Sequence, residues 1–142
     1  MKVCKFGGSS MADAGQLTKV IDIVLSDPAR RMVVVSAPGK RGKDDTKVTD
    51  LLIALAKKAL AGEDTAGALE AVLERYRSIA QDLNLGDGIV QTIADDLARR
   101  VASDKADEGG LYLHTSDGFL KWLDVSTLYA GSALIQVKLA GD

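Results

Sequence analysis

The chain has 142 residues, 46% of them hydrophobic, with 18 basic and 20 acidic side chains and a formal net charge of -2. This length gives one domain and little more, and so even a charge balance excludes nucleic acid or an anionic membrane as the main partner. A lone cysteine, Cys4, excludes an internal disulfide framework and fits a reducing, cytoplasmic setting; no apolar run approaches the about 18 residues of a membrane span, and the opening "MKVCKFGG" has no signal-peptide core.

"MKVCKF" reads as a short first strand and "RMVVVSA" (Arg31 to Ala37) as a second. The continuous run Val33-Val34-Val35 predicts a strand covered on both faces, as in parallel sheets. Between them Leu17, Val20, Ile21 and Val24 recur at helical spacing. Asp13, with Gln16 three residues on, caps the start of that helix, and Asp27-Pro28 closes it. Strand, glycine-rich turn, helix and strand in this order make a βαβ unit.

"PGKRGKDDTK" follows as a polar loop, expected to be mobile and solvated despite Lys40, Arg41, Lys43 and Lys47. "VTDLLIALAKKALAG" reads as a second helix, with Thr49 or Asp50 near its start and Gly62 just past its end. A third carries Leu69, Val72, Leu73, Tyr76, Ile79, Ala80 and Leu83 on one face; a fourth carries Ile89, Val90, Ile93, Leu97 and Val101. Asp95 with Arg99, and Asp96 with Arg100, have the spacing of surface ion pairs. From Ala106 onward "ADEGG" reads as a linker, "DGFLKWLDVSTLYAG" as helical, with Phe119, Trp122 and Leu123 as core or interface, and "LIQVKLAG" as a half-exposed edge strand or a helix. His114 stands alone, so no protein-bound metal is expected. Two or three strands cannot bury the faces of four helices. The chain therefore reads as the opening portion of a larger α/β layer, or as one that self-associates or needs a partner to complete its sheet.

The stretch "CKFGGSS" (Cys4 to Ser10) bears the chemistry. A strand ending in Lys5, then Gly7 and Gly8, then Ser9 and Ser10, brings a cation, compliant backbone and hydroxyl donors to the start of a helix, where anions are favoured. It matches neither G-x-x-x-x-G-K-[ST] nor G-x-G-x-x-G. On the residues alone, an anion site and a tight turn with a solvated lysine both remain open.

"VCKFGGSSMAD", "VVVSAPGKR" and "KVTDLL", in this order, resemble three N-terminal blocks of the aspartate kinases, within the amino-acid kinase family. The resemblance implies an α/β fold, part of a three-layer sandwich with a mostly parallel sheet. It assigns residues 1–105 to the N-terminal part of a kinase domain and leaves 106–142 as a divergent segment. It further implies transfer of the γ-phosphate of ATP, with Mg2+, to the side-chain carboxylate of L-aspartate, a step in lysine, threonine and methionine synthesis. Lys5 would contact the transferring phosphoryl group, Gly7 and Gly8 would cradle it, and Ser9 would share that loop. Ser36 and Thr49 would line the aspartate pocket. The family's next block carries a substrate-binding glutamate where this chain reads "VSTLYAGSALI", and the family's nucleotide-binding half has no counterpart here. The expectation is thus an aspartate kinase-like phosphotransferase, truncated and inactive or weakly active alone. The alternative is a non-catalytic α/β fragment that self-associates or docks to another subunit.

Overall fold

The computed structural model describes residues 1–102. Strand β1 (Lys2–Phe6) runs parallel to β2 (Arg30–Val35), with Cys4 opposite Val33, Lys5 opposite Val34 and Phe6 opposite Val35. A 3-10 helix (Gly8–Met11) and α1 (Ala14–Leu25) connect them, so the βαβ unit read from the sequence is present. Helices α2 (Val48–Leu60), α3 (Ala66–Asp82) and α4 (Gly88–Ala102) follow.

Each helix forms where its apolar period and its end signals agree. Asp13 caps α1 by accepting the Gln16 amide on Oδ1 at 2.9 Å, and the helix buries Leu17, Val20, Ile21 and Val24. Beyond its end, Asp27 pairs with Lys2 at 2.6 Å and also accepts the Ala29 amide, which ties the turn to the start of the sheet. Helices α2 and α3 stop in the same way. Gly62 (φ 70°) and Asn84 (φ 56°) adopt the left-handed conformation, and the next amides, Glu63 and Leu85, donate back to the carbonyls of Lys58 and Ala80. Gly62 sits at the predicted position.

Helix α2 packs on α3, α3 on α4, and α1 on β2 and α3. One core results, with Leu17, Val35, Val48, Leu52, Val72, Tyr76, Ile79, Ile93 and Leu97 inside it. On α4, Ile89 and Val101 are half-buried rather than buried. Arg100 meets Asp96 at 2.9 Å as expected, whereas Arg99 also reaches Asp96, at 3.0 Å, and Asp95 accepts from Gln91.

Strand β2 departs from expectation. Alternation turns Val33 and Val35 toward the core but leaves Met32 and Val34 51% and 45% exposed, beside Val3 at 63%. Among the described residues helices cover one face of the sheet, so the apolar run is buried on one side. Among the described residues the sheet has two strands. The linker, the helix and the edge strand read after Ala106, with His114, Phe119, Trp122 and Leu123, lie outside the described residues. No helix among those described is long and apolar enough to cross a membrane.

Candidate functional site

The two strands end side by side. Ser36 donates its amide to the Phe6 carbonyl at 3.1 Å, so Gly7 and Ser36 leave the sheet as neighbours. Past that point the two loops touch backbone to backbone. Gly39 donates its amide to the Gly8 carbonyl at 2.7 Å, and a Cβ added at Gly39 would stand 2.7 Å from the Gly8 carbonyl carbon. A Cβ at Gly8 would meet the Ala37 carbonyl oxygen at 3.2 Å. Gly8 and Gly39 are thus required for close approach of two chain segments. Gly7 differs: its backbone is extended (φ -76°, ψ 175°), and a Cβ there would meet nothing within 4 Å. The first glycine borders open space; the second is a packing residue.

The sequence put a glycine turn and an Asp13-capped helix start in succession after the first strand, and the structure separates the two. A 3-10 helix intervenes, closed by the Ser10 amide on the Gly7 carbonyl and anchored by buried Met11. The start of α1 already holds a carboxylate, that of Asp13. The amides of Gly7, Gly8 and Ser9 have no acceptor among the described residues. They lie at the carboxyl end of the sheet.

Lys5 precedes this turn by one residue. It is exposed on the sheet face opposite α1, while Phe6 packs inward, and its ammonium has no partner among the described residues. Ser36 is half-buried, and its hydroxyl is likewise unengaged. Thr49 stands in the first turn of α2 but does not cap it. Lys47 holds the cap position, without a side-chain bond, and the Val48 amide is satisfied by the Pro38 carbonyl at 2.9 Å. The Thr49 hydroxyl therefore has no capping duty. The bonds Ser36–Phe6, Gly39–Gly8 and Val48–Pro38 bring Lys5, Gly7, Gly8, Ser9, Ser36 and Thr49 to one end of the sheet.

Two residues of this region went unread in the sequence. Gly39 was signalled only by a Pro-Gly pair after a strand. Arg75 lies three residues after Val72 and four before Ile79, a helical spacing that places it on the buried face of α3. It is 3% exposed. Its Nη1 donates to the Thr46 carbonyl at 2.7 Å, and its Nη2 donates to the carbonyls of Ala12 at 3.0 Å and Gly39 at 2.7 Å. Burial lowers its pKa, yet the guanidinium begins so high that it stays a cation. Asp45 lies 3.4 Å away and supplies the opposite charge.

Asp45 is shared. Arg41 grips it with Nε on Oδ2 at 2.7 Å and Nη2 on Oδ1 at 2.9 Å, and the Arg41 amide adds a third bond at 2.8 Å. The Arg41 side-chain bond, its amide and the Arg75 charge hold the Asp45 carboxyl far below the usual carboxylate range. The loop expected to be solvated and mobile is therefore pinned by Arg41, Asp45 and Arg75; Lys40, Lys43 and Lys47 are exposed. Next to Arg75, Tyr76 is fully buried with no partner for its hydroxyl among the described residues, and burial raises its pKa well above the ordinary value.

No family model matches the chain. Aspartokinase 3 of Bacillus subtilis (strain 168) is 57% identical over 106 residues, which is 75% of this chain and 23% of that relative. Among solved structures, the aspartate kinase of Clostridium acetobutylicum superposes with a TM-score of 0.74 at 26% identity, over 99% of this chain and 29% of that one. E. coli aspartokinase III, crystallised with aspartate and ADP in its R-state, superposes with a TM-score of 0.61 at 26% identity, covering 97% of this chain and 28% of that enzyme. The match spans about a quarter of the length of these relatives.

Proposed function

We propose that this chain, which resembles the aspartokinases over a portion of their length, forms the phosphate-contacting and aspartate-contacting part of an aspartate kinase site. One observation carries the proposal. Lys5, Gly7, Gly8, Ser9, Ser36 and Thr49 lie at the carboxyl end of one parallel strand pair, and the Lys5 ammonium, the Gly7, Gly8 and Ser9 amides and the Ser36 and Thr49 hydroxyls have no partner among the described residues. The E. coli neighbour that binds aspartate and ADP supports the substrate class.

The division of labour follows from phosphoryl-transfer chemistry. An ionised aspartate side-chain oxygen attacks the γ-phosphorus of ATP, the bond to the β,γ-bridging oxygen breaks, and ADP leaves with that electron pair. No base is needed for a nucleophile that is already an anion. The protein's task is alignment and charge stabilisation. Lys5 offers its ammonium to the transferring group, Gly7 and Gly8 their amides, and Ser9 a hydroxyl donor in the same loop. Ser36 and Thr49 are assigned to the bound aspartate. No cluster of three His, Cys, Asp or Glu side chains among the described residues could hold a metal ion, so magnesium is taken to come with the nucleotide, whose phosphate charge it offsets.

The relative from Bacillus subtilis is roughly three times as long as this chain, and the 142 residues by themselves are expected to bind phosphate and turn over little or no aspartate. In the same reading, residues 1–105 belong to the kinase domain, and the exposed sheet face of Val3, Met32 and Val34 is covered by further protein, a second copy included, in the working molecule. A cytoplasmic role in amino-acid synthesis, lysine among its products, accords with this chemistry.

The test is a titration of the chain with inorganic phosphate and with ATP-Mg, followed through the amide resonances of Gly7 and Gly8. Both should shift, and Lys5→Ala should weaken binding by about tenfold, the loss of one charge-assisted hydrogen bond. Silent glycine amides, or equal affinity in Lys5→Ala, would sink the reading.

A further inference from the structure

Resting on that reading, we propose that Arg75 is a positioning residue of the site. Its guanidinium sets the spacing between the glycine turn and the segment that leads to Thr49, and so keeps the phosphate side and the carboxylate side in register.

A buried cation is a poor way merely to fill a core, because desolvation costs more than an apolar side chain of similar volume would. What Arg75 receives for that cost is specific. Its three carbonyl partners come from three segments: Ala12, between the 3-10 helix and the α1 cap; Gly39, in the Pro-Gly turn; and Thr46, just ahead of α2. These lie 63, 36 and 29 residues from Arg75 along the chain, so each bond ties α3 to a segment remote from it. The planar fork of a guanidinium fixes the directions of its donors, which a lysine ammonium does not.

The bonds also continue past Arg75. Gly39 accepts from Arg75 on its carbonyl and donates its own amide to Gly8, which makes an unbroken hydrogen-bonded line from α3 to the glycine turn. Beside it, the Pro38 carbonyl takes the first amide of α2, one residue before Thr49. Arg75 is buried and touches no open space at the sheet end, so it acts through these backbone groups and not on a ligand. Asp45 offsets its charge from 3.4 Å but is gripped by Arg41, and none of the three carbonyl bonds requires it.

Amide hydrogen exchange on the whole chain tests this. In Arg75→Met the Gly39 and Val48 amides should exchange about tenfold faster or more, as for loss of a charge-assisted bond, while Val20 and Leu55 in the helix cores change by less than about threefold. Arg75→Lys serves if the methionine variant does not fold. It keeps the charge but not the fork, and should still loosen Gly39. Asp45→Asn should leave Gly39 protected. Inorganic phosphate, read at Gly7 and Gly8, should bind Arg75→Lys several-fold more weakly than the parent chain. Uniform acceleration of every amide, full protection of Gly39 in Arg75→Lys, or loosening by Asp45→Asn equal to that of the arginine variants would each overturn the proposal. If phosphate leaves Gly7 and Gly8 unmoved even in the parent chain, the functional reading fails, and the exchange pattern still decides whether Arg75 is the clamp.

Discussion

Replacing Gly39 by alanine separates two views of the Pro-Gly turn. At a position with ordinary φ and room for a methyl group, glycine to alanine stabilises a protein by about 0.4–1 kcal/mol, because the unfolded chain loses freedom. Gly39 has no such room. Its new Cβ would lie 2.7 Å from the Gly8 carbonyl carbon, 2.8 Å from the Gly8 oxygen and 3.0 Å from the Ser9 nitrogen. All three are backbone atoms, so no side chain can rotate aside. Forced separation of packed groups costs about 1–3 kcal/mol, and opening the 2.7 Å Gly39–Gly8 hydrogen bond adds about 1 kcal/mol. Setting the unfolded-state gain against these leaves a net destabilisation of about 1–3.5 kcal/mol. Urea unfolding of Gly39→Ala beside Gly7→Ala and Gly42→Ala measures it, since the two control positions have nothing within 4 Å of a new Cβ. A Gly39→Ala chain as stable as the parent, or more so, would show that the two loops do not meet as described.

The Asp45 carboxyl, held low first by the Arg41 side-chain bond, contributes stability that is fully present above the unfolded carboxylate pKa of about 4 and is lost as pH falls toward its depressed folded value. The stability gap between the parent chain and Asp45→Asn should therefore shrink between pH 5 and pH 2.5, roughly the span across which the unfolded carboxylate protonates; a gap constant through that window would refute the assignment. Tyr76 buries a hydroxyl that has no partner among the described residues, so Tyr76→Phe should leave stability unchanged or raise it by about 1 kcal/mol. A loss of more than about 1 kcal/mol in thermal or urea unfolding would mean that the hydroxyl is hydrogen-bonded.

Much of the fold was legible because it is local. Asp13 followed three residues later by Gln16 marks the start of α1 through a single bond, and Gly62 marks the end of α2 because few other residues tolerate its φ. Periodicity likewise separated the four helices from the two strands. The motif residues could be found for a related reason: a lysine, two glycines and a serine at a strand's end are chemically conspicuous wherever they lead. Less legible was the burial of β2. Three consecutive valines say that a strand is apolar, but which of its faces is covered depends on what lies across the sheet.

Order of elements, helix ends and the identity of the motif were thus decided by short-range geometry, which any stretch of this chain carries within a few residues. Tertiary structure decided the rest. It made Gly8 and Gly39 a backbone contact, relieved Thr49 of capping, and buried Arg75 against Ala12, Gly39 and Thr46. Those outcomes depend on distances between segments remote along the chain, and a residue's neighbours in sequence do not record them.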